Sequence, residues 1–207
     1  DSLALMVLLA EWRRRTPGAP ELSVLTVDHG LRPEAAAETE RVAELARAQG
    51  LDCRILTWTG EKPLANRQAQ AREARFALMT SALAEVGGDA LILAHHLDDQ
   101  AETFLLRLAR GSGVYGLAAM APVVTREGIA VLRPLLGVAK ERLVASLAER
   151  GIAWSEDPSN ADPAYARVRM RRLIPDLAAE GLTPQRLART ASRLSRARTG
   201  PISFISI

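Results

Sequence analysis

The chain has 207 residues, 48% of them hydrophobic and 25% charged, the proportions of a chain that buries a core. No apolar run approaches the roughly 18 residues of a membrane span. The single cysteine, Cys53, excludes a disulfide framework and any multi-cysteine zinc or iron–sulfur site. Net charge is only +3, but residues 163–200 carry nine arginines against Asp176 and Glu180, while residues 1–162 hold 18 basic against 22 acidic residues. A basic tail on a mildly acidic body points either to a polyanionic partner at one end or to a solvated basic helix. No secretory signal is visible, so a cytoplasmic location with no membrane partner is expected. Because the sequence opens at Asp1 rather than at methionine, further residues are expected ahead of it in the intact protein.

Asp1 and Ser2 are good helix caps, and Leu3–Trp12 is the first expected helix. Leu22–Val27 reads as a strand ending at Asp28-His29-Gly30. Pro33-Glu34 then open a helix that runs to Gly50 with Val42, Leu45 and Ala46 inward. Cys53–Trp58 is the second strand, its cysteine a buried inert thiol. Asn66 caps a helix with Ala71, Ala74, Leu78 and Ala82 on one side and Arg67, Arg72 and Arg75 elsewhere; Gly87-Gly88 end it before a strand at Ala90–Ala94. Strands alternating with helices of this length imply parallel pairing.

From Asp98 onward, Ala101, Phe104, Leu105 and Leu108 recur at helical spacing, and Gly111 closes that helix. Ile129–Leu132 is a weaker strand, and Ala139–Arg150 a helix stopped by Gly151. Trp154–Pro163 is turn-forming throughout and marks a domain boundary, so residues 1–160 are expected to form one domain and 161–207 the start of a second. Beyond it lie a basic helix around Tyr165–Ile174 and a helix capped by Thr183-Pro184 with Leu187, Ala191 and Leu194 inward. Pro201–Ile207 is apolar and uncharged, and carries no assignment.

The chemistry is concentrated in Leu91–Gly113, where His95, His96, Asp98, Asp99 and Glu102 sit between the third strand and the helix that follows. At 100° per residue, Asp99 and Glu102 lie within about 60° of each other, away from the apolar stripe. Asp28-His29 also follow a strand end, and in a parallel sheet such ends share one edge, so the two groups can converge. Carboxylates there can hold Mg²⁺ against phosphate oxygens. A histidine can donate to developing phosphoryl charge. The plainer readings are that His29 is a turn residue and that Asp98 and Asp99 complement a helix N-terminus, with Asp98 as the cap. Those leave Glu102 and the histidine pair without a role. A two-Mn²⁺ phosphoesterase would use the same Asp and His letters. A non-enzymatic nucleic-acid-binding protein would explain the tail but not the acids.

AHHLDDQAETFLLRLARGSGVYGL (Ala94–Leu117), VDHGLRPEA (Val27–Ala35) and EDPSN (Glu156–Asn160) together resemble the bacterial tRNA(Ile)-lysidine synthetases, members of the N-type ATP pyrophosphatases (PP-loop superfamily). AREARF (Ala71–Phe76) is similar to that family's arginine-bearing helix, and YARVRMRRLIP (Tyr165–Pro175) to its RN-x-IR segment, with Val168 where the family has asparagine. The resemblance implies a doubly wound, mainly parallel α/β sheet of Rossmann-like, adenine nucleotide α-hydrolase type, followed by a small helical domain. It implies an ATP- and Mg²⁺-dependent ligase that adenylates the C2 carbonyl oxygen of the wobble cytidine of an isoleucine tRNA. Free L-lysine then displaces AMP to give lysidine.

By the same resemblance His95, Asp99 and Glu102 are catalytic. Asp99 and Glu102 receive the lysine ammonium group, and Asp99 is also the Mg²⁺ ligand. Asp1 and Ser2, which match the end of the family's phosphate loop, bind the nucleotide with Asp28, His29, Arg110 and Gly111. Arg72, Arg75, Arg167 and Arg171 are candidates for ATP or the tRNA backbone. The sibling tRNA 2-thiocytidine enzymes need clustered cysteines, which Cys53 alone does not supply.

Overall fold

The computed structural model describes residues 1–28, 30, 35–59, 67–154 and 162–199. The Pro33-Glu34 helix start, the Asn66 cap, most of the Trp154–Pro163 boundary and the Pro201–Ile207 segment lie outside them. The chain divides into two compact units, one of residues 2–92 and 125–131, the other of Asp1, 93–124 and 132–207.

In the first unit the helix expected after Asp1 begins at Ser2 and runs to Arg15 (α1), burying Ala4, Leu5, Met6, Val7 and Ala10. Arg13 near its end holds both carboxylate oxygens of Glu21 at 2.6 Å. Strand β1 (Ser23–Asp28) pairs in parallel with β2 (Asp52–Thr57), in a register that runs from Ser23 opposite Asp52 to Asp28 opposite Thr57. A parallel pair needs a crossover, and α2 (Ala35–Ala48) supplies it. Met6 and Ala10 of α1 share a core with Ala46 of α2 and Leu51, and half-buried Leu22, Val24, Leu45 and Cys53 close around it. Burial pushes the Cys53 thiol upward, which suits the inert role expected of it.

Helix α3 (Arg67–Glu85) buries Phe76, Met79, Ala82 and Leu83. Its inward face is therefore turned toward Phe76 and Met79 from the expected one, and Ala71, Ala74 and Leu78 are only half-buried. Arg54 of β2 reaches Glu85 at its far end, 3.2 Å away. Strand β3 is shorter than expected, Ala90–Ile92.

In the second unit, α4 spans Leu97–Leu108 and is followed by one turn of helix, α5 (Val114–Leu117). Next in the chain come β4 (Val123–Arg126), which periodicity did not reveal, and β5 (Ile129–Leu132); with β3 they form a sheet of order β3-β5-β4. Glu127 and Gly128 make the two-residue turn between β4 and β5 with φ of 54° and 80°, the pattern of a type I′ hairpin. The second unit continues with α6 (Lys140–Glu149), α7 (Ala166–Ala179) and α8 (Pro184–Thr199). Helix α7 passes through Pro175, where the basic helix was expected to stop. Thr183 caps α8 as expected, its hydroxyl accepting the Arg186 N–H at 3.3 Å.

The core of this unit joins Ala101, Phe104 and Leu105 of α4 to Leu187 and Ala191 of α8, with Met170, Ile174 and Leu177 of α7 packed on it. Leu108, expected on the same apolar face, is 50% exposed because the helix outlasts its cover there.

A non-glycine residue at φ 54° costs free energy that asparagine largely avoids, and an exposed ion pair to Arg126 offsets little of it. Glu127→Asn is expected to stabilise the protein by about 0.5–1 kcal/mol. A urea midpoint that stays put or falls would contradict the turn assignment.

Candidate active site

After β3 the chain stays extended to His96, which is the N-cap of α4, so the helix starts one residue ahead of the expected Asp98. Asp99 sits three residues inside the helix and its Oδ2 accepts the His96 backbone N–H at 3.0 Å, one arm of a capping box. The imidazole of His96 is 3% exposed and lies among three carboxylates. Its Nε2 is 3.3 Å from Asp1 Oδ2 and 3.5 Å from Asp99 Oδ2, and its Nδ1 is 3.4 Å from Asp98 Oδ2.

Asp98 does not cap its own helix. Its Oδ2 accepts the N–H of Lys140, the first residue of α6, at 2.9 Å, while Leu97 N–H donates to the Val138 carbonyl at 3.0 Å. The start of α4 is thereby tied to the start of α6. The neighbouring His96 imidazole, with the Lys140 N–H behind it, holds the Asp98 carboxyl below the usual carboxylate range against the opposing effect of burial.

One turn further on, Glu102 is 1% exposed. It lies away from the apolar stripe, as its helical position implies, but it faces protein rather than water. Arg171 of α7 donates from Nε to Glu102 Oε1 at 2.7 Å, and the other oxygen, Oε2, has no hydrogen-bond partner among the described residues. Burial alone would lower the Arg171 guanidinium. The Glu102 bond, with Asp99 and Asp98 behind it, raises it instead. Arg167, one turn back along α7, places Nη1 3.9 Å from Asp99 Oδ1 and Nη2 3.4 Å from the Thr103 hydroxyl. Two arginines at i and i+4 thus face Asp99, Glu102 and Thr103 at i, i+3 and i+4, since both spacings return to one helix side.

The far side of α4 is held by amide and guanidinium groups. Gln100 is buried and exchanges two bonds with the Met120 backbone, at 2.7 and 2.8 Å. Arg107 donates to the carbonyls of Gly116 and Ala119. These bonds fix the segment after the helix, where Gly111 takes φ 69° and Arg110 is exposed.

Of the residues expected in the site, the structure brings Asp1, Asp99 and Arg167 together around His96 with Asp98, and pairs Glu102 with Arg171 one turn further along α4. His95 is half-buried beside it in sequence, and Ser2 opens α1. Asp28 belongs to the other unit, where it ends β1 and accepts the Gly30 N–H at 2.8 Å; His29 lies outside the described residues. Arg72 and Arg75 are exposed on α3. Sequence reasoning missed the place of His96. An N-cap position preceded by a strand and followed by two acids was the available signal.

Removing Arg171 would leave the buried Glu102 carboxylate uncompensated. Because Arg171 is itself partly exposed, Arg171→Ala is expected to cost about 1–3 kcal/mol, with much of the loss recovered when Glu102→Gln is added. A loss no larger than that of the exposed Arg15→Ala, by chemical denaturation, would contradict the pair. Asp98→Ala, which uncaps α6, is expected to cost about 1 kcal/mol in the same measurement.

Comparison with known proteins places the chain as a whole. A model of the PP-loop domain matches residues 1–177. Over 197 residues, 95% of its length, the chain is 52% identical to a tRNA(Ile)-lysidine synthase of Bradyrhizobium sp. (strain BTAi1), of which it covers 55%. It is 53% identical over 197 residues to the tRNA(Ile)-lysidine synthase of Rhodopseudomonas palustris, covering 57% of it, and 39% identical to that of Anaplasma marginale, covering 42%. The chain spans about half the length of the curated relatives it matches. Its fold is similar to that of the U34-tRNA thiolase NcsA from Methanococcus maripaludis, with a TM-score of 0.77 over 99% of this chain and 74% of that one at 15% identity, a likeness of fold alone. The architecture is α/β with parallel strands, and the chain belongs to the PP-loop family.

Proposed function

We propose that the protein is a tRNA(Ile)-lysidine synthetase, an ATP-dependent, tRNA-modifying ligase that forms a carbon–nitrogen bond. The observation that carries this reading is the pair of acids on α4, inside a chain about half identical over 95% of its length to proteins of that name. Glu102 is buried with one oxygen on Arg171 and the other without a hydrogen-bond partner among the described residues. Asp99 lies one turn away. A primary ammonium group has three donors and no acceptor, so two carboxylates one turn apart suit the side chain of free L-lysine. In the proposed reaction the C2 carbonyl oxygen of a wobble cytidine is adenylated by ATP, releasing pyrophosphate. The lysine amino group then displaces AMP. Activation is required because a pyrimidine carbonyl oxygen is a poor leaving group until it carries AMP.

ATP use follows from membership of the PP-loop family. Asp1 and Ser2 stand where α1 begins, and helix N-terminal amides suit phosphate. His95, Asp28, His29, Arg110 and Gly111 are assigned to the nucleotide, and Arg72, Arg75, Arg167 and Arg171 to ATP or the tRNA backbone. Among the described residues no group of three or more His, Cys, Asp or Glu could hold a metal ion. Mg²⁺ needs less than that, since it binds through one or two carboxylates plus substrate phosphates, and Asp99 offers the hard oxygen donor. When bound there it would offset phosphate charge. The two-Mn²⁺ phosphoesterase, by contrast, needs a clustered donor set. Residues 1–160 are read as the nucleotide-binding domain and 161–207 as the start of a basic helical domain docked on α4. No helix among the described residues is long and apolar enough to cross a membrane; a cytoplasmic site of action is part of the same proposal.

The full-length protein, incubated with labelled lysine, ATP and tRNA transcripts, is expected to label an isoleucine tRNA bearing an anticodon wobble cytidine. Labelling of no tRNA, or equal labelling of transcripts without that cytidine, would refute the reading. Asp99→Asn and Glu102→Gln are expected to cut lysine use roughly 10- to 100-fold, as for loss of a charge-assisted contact. Wild-type lysine use by both would overturn their roles.

A further inference from the structure

The arginines of the basic tail divide into two sets. In α7, Arg167 and Arg171 turn to Asp99, Thr103 and Glu102, and Arg169 donates to the carbonyls of Pro163 and Ala164. Helix α8 differs. Residues 181–200 contain five arginines and no acid, and Arg186, Arg189, Arg193 and Arg196 are all exposed. At 100° per residue these four fall within an arc of about 80°, opposite Leu187, Ala191 and Leu194, along about 15 Å of helix. The inner face is already used, because Leu187 and Ala191 are buried against Ala101, Phe104 and Leu105 of α4. Arg186 also donates to the Gly181 carbonyl at 2.9 Å but keeps its charge.

We propose that the outer face of α8 docks the sugar–phosphate backbone of the RNA substrate, set through Arg189 and Arg193 and reinforced by Arg186 and Arg196. This rests on the functional reading above and adds the place where RNA is held. The chemistry of the face selects the partner. A helix that lies on a membrane needs a free apolar stripe to insert, and that of α8 is covered by α4. A protein partner needs large apolar or aromatic anchors, but the residues flanking the arginines are Gln185 and Ser192 on one side and Thr190 and Ala197 on the other. A row of guanidinium groups on a helix whose own sequence carries no acid matches a line of phosphates. The same helix packs on the apolar side of α4, away from Asp99 and Glu102, so this face holds the RNA backbone at a distance from the acids and does not present the reacting base to them.

The test uses the full-length protein with a tRNA transcript and the double variants Arg189→Ala/Arg193→Ala and Arg189→Glu/Arg193→Glu. Alanine is a strong helix former, and a wild-type melting curve shows that α8 is retained. Loss of two phosphate contacts is expected to weaken RNA binding roughly tenfold near physiological salt and to lower the slope of log affinity against log salt by roughly 1.4–1.8. The glutamate variant should bind more weakly still. In the lysine-transfer assay the change should appear in KM for tRNA and not in KM for lysine. Wild-type affinity and salt slope in both variants would overturn the proposal, as would binding of anionic phospholipid vesicles that depends on these arginines while RNA affinity does not. If RNA binding depends on α8 but no lysine is transferred by the wild type, the functional reading fails and the docking face stands. If lysine is transferred while both variants bind tRNA normally, the reading stands and the docking face fails.

Discussion

A helix buried on both its apolar and its polar side must find partners for most of its polar groups among its neighbours, because water cannot supply them. Helix α4 is under that constraint. Leu97, Gln100, Ala101, Glu102, Thr103, Phe104 and Leu105 are all buried. Glu102 is answered by Arg171, Thr103 by Arg167, and Gln100 by the Met120 backbone. At the N-terminal end His96 Nε2 lies near the carboxylates of Asp1 and Asp99, and Asp98 accepts the Lys140 N–H. The answers come from several parts of the second unit, α7 supplying both arginines, α6 the Lys140 N–H and the segment after α4 the Met120 backbone. The placement of α6, α7 and the segment after α4 is therefore decided by what α4 needs.

That constraint makes the acids of α4 more than a solvated helix face. A carboxylate in water loses little by meeting a cation, whereas a desolvated one gains strongly from it. The Glu102–Arg171 pair engages one oxygen of Glu102 and leaves the second without a hydrogen-bond partner among the described residues, next to Asp99 in a network already dense in charge. Such an arrangement favours a further cationic group. It also explains why the tail is basic close to the site: α7 supplies cations inward to α4, while α8 keeps its arginines outward and contributes only its apolar side to the core. The two helices are both rich in arginine and differ in which face is covered.

Periodicity located most of these elements because the apolar spacing along a helix or strand is a local property. The stripe Ala101, Phe104, Leu105, the capped start of α8 at Thr183 and the inward Leu187 and Ala191 could all be read in this way. Strand β5 was read, but β4 and the hairpin turn joining them escaped because Glu127 is not a usual residue at positive φ, so the turn carried a weak signal. The inward face of α3 shifted toward Phe76 and Met79 because large side chains win burial over the alanines that mark the same helix. Helix α7 ran through Pro175 because Met170, Ile174 and Leu177 are packed on the α4–α8 core on both sides of it, and tertiary packing outweighs one missing hydrogen bond.

By itself the sequence determined the class of the fold, the dense histidine–acid block, the uneven charge of the chain and the resemblance that ties them to one reaction. Those are matters of residue type and spacing along the chain. Only the tertiary structure decided that His96 rather than Asp98 caps α4, that Asp98 caps a helix 42 residues away, and that Arg171 and not solvent faces Glu102. Each of these depends on which distant group reaches a desolvated charge. Local spacing shows which side of a helix a residue occupies, but not what the chain folds back against it.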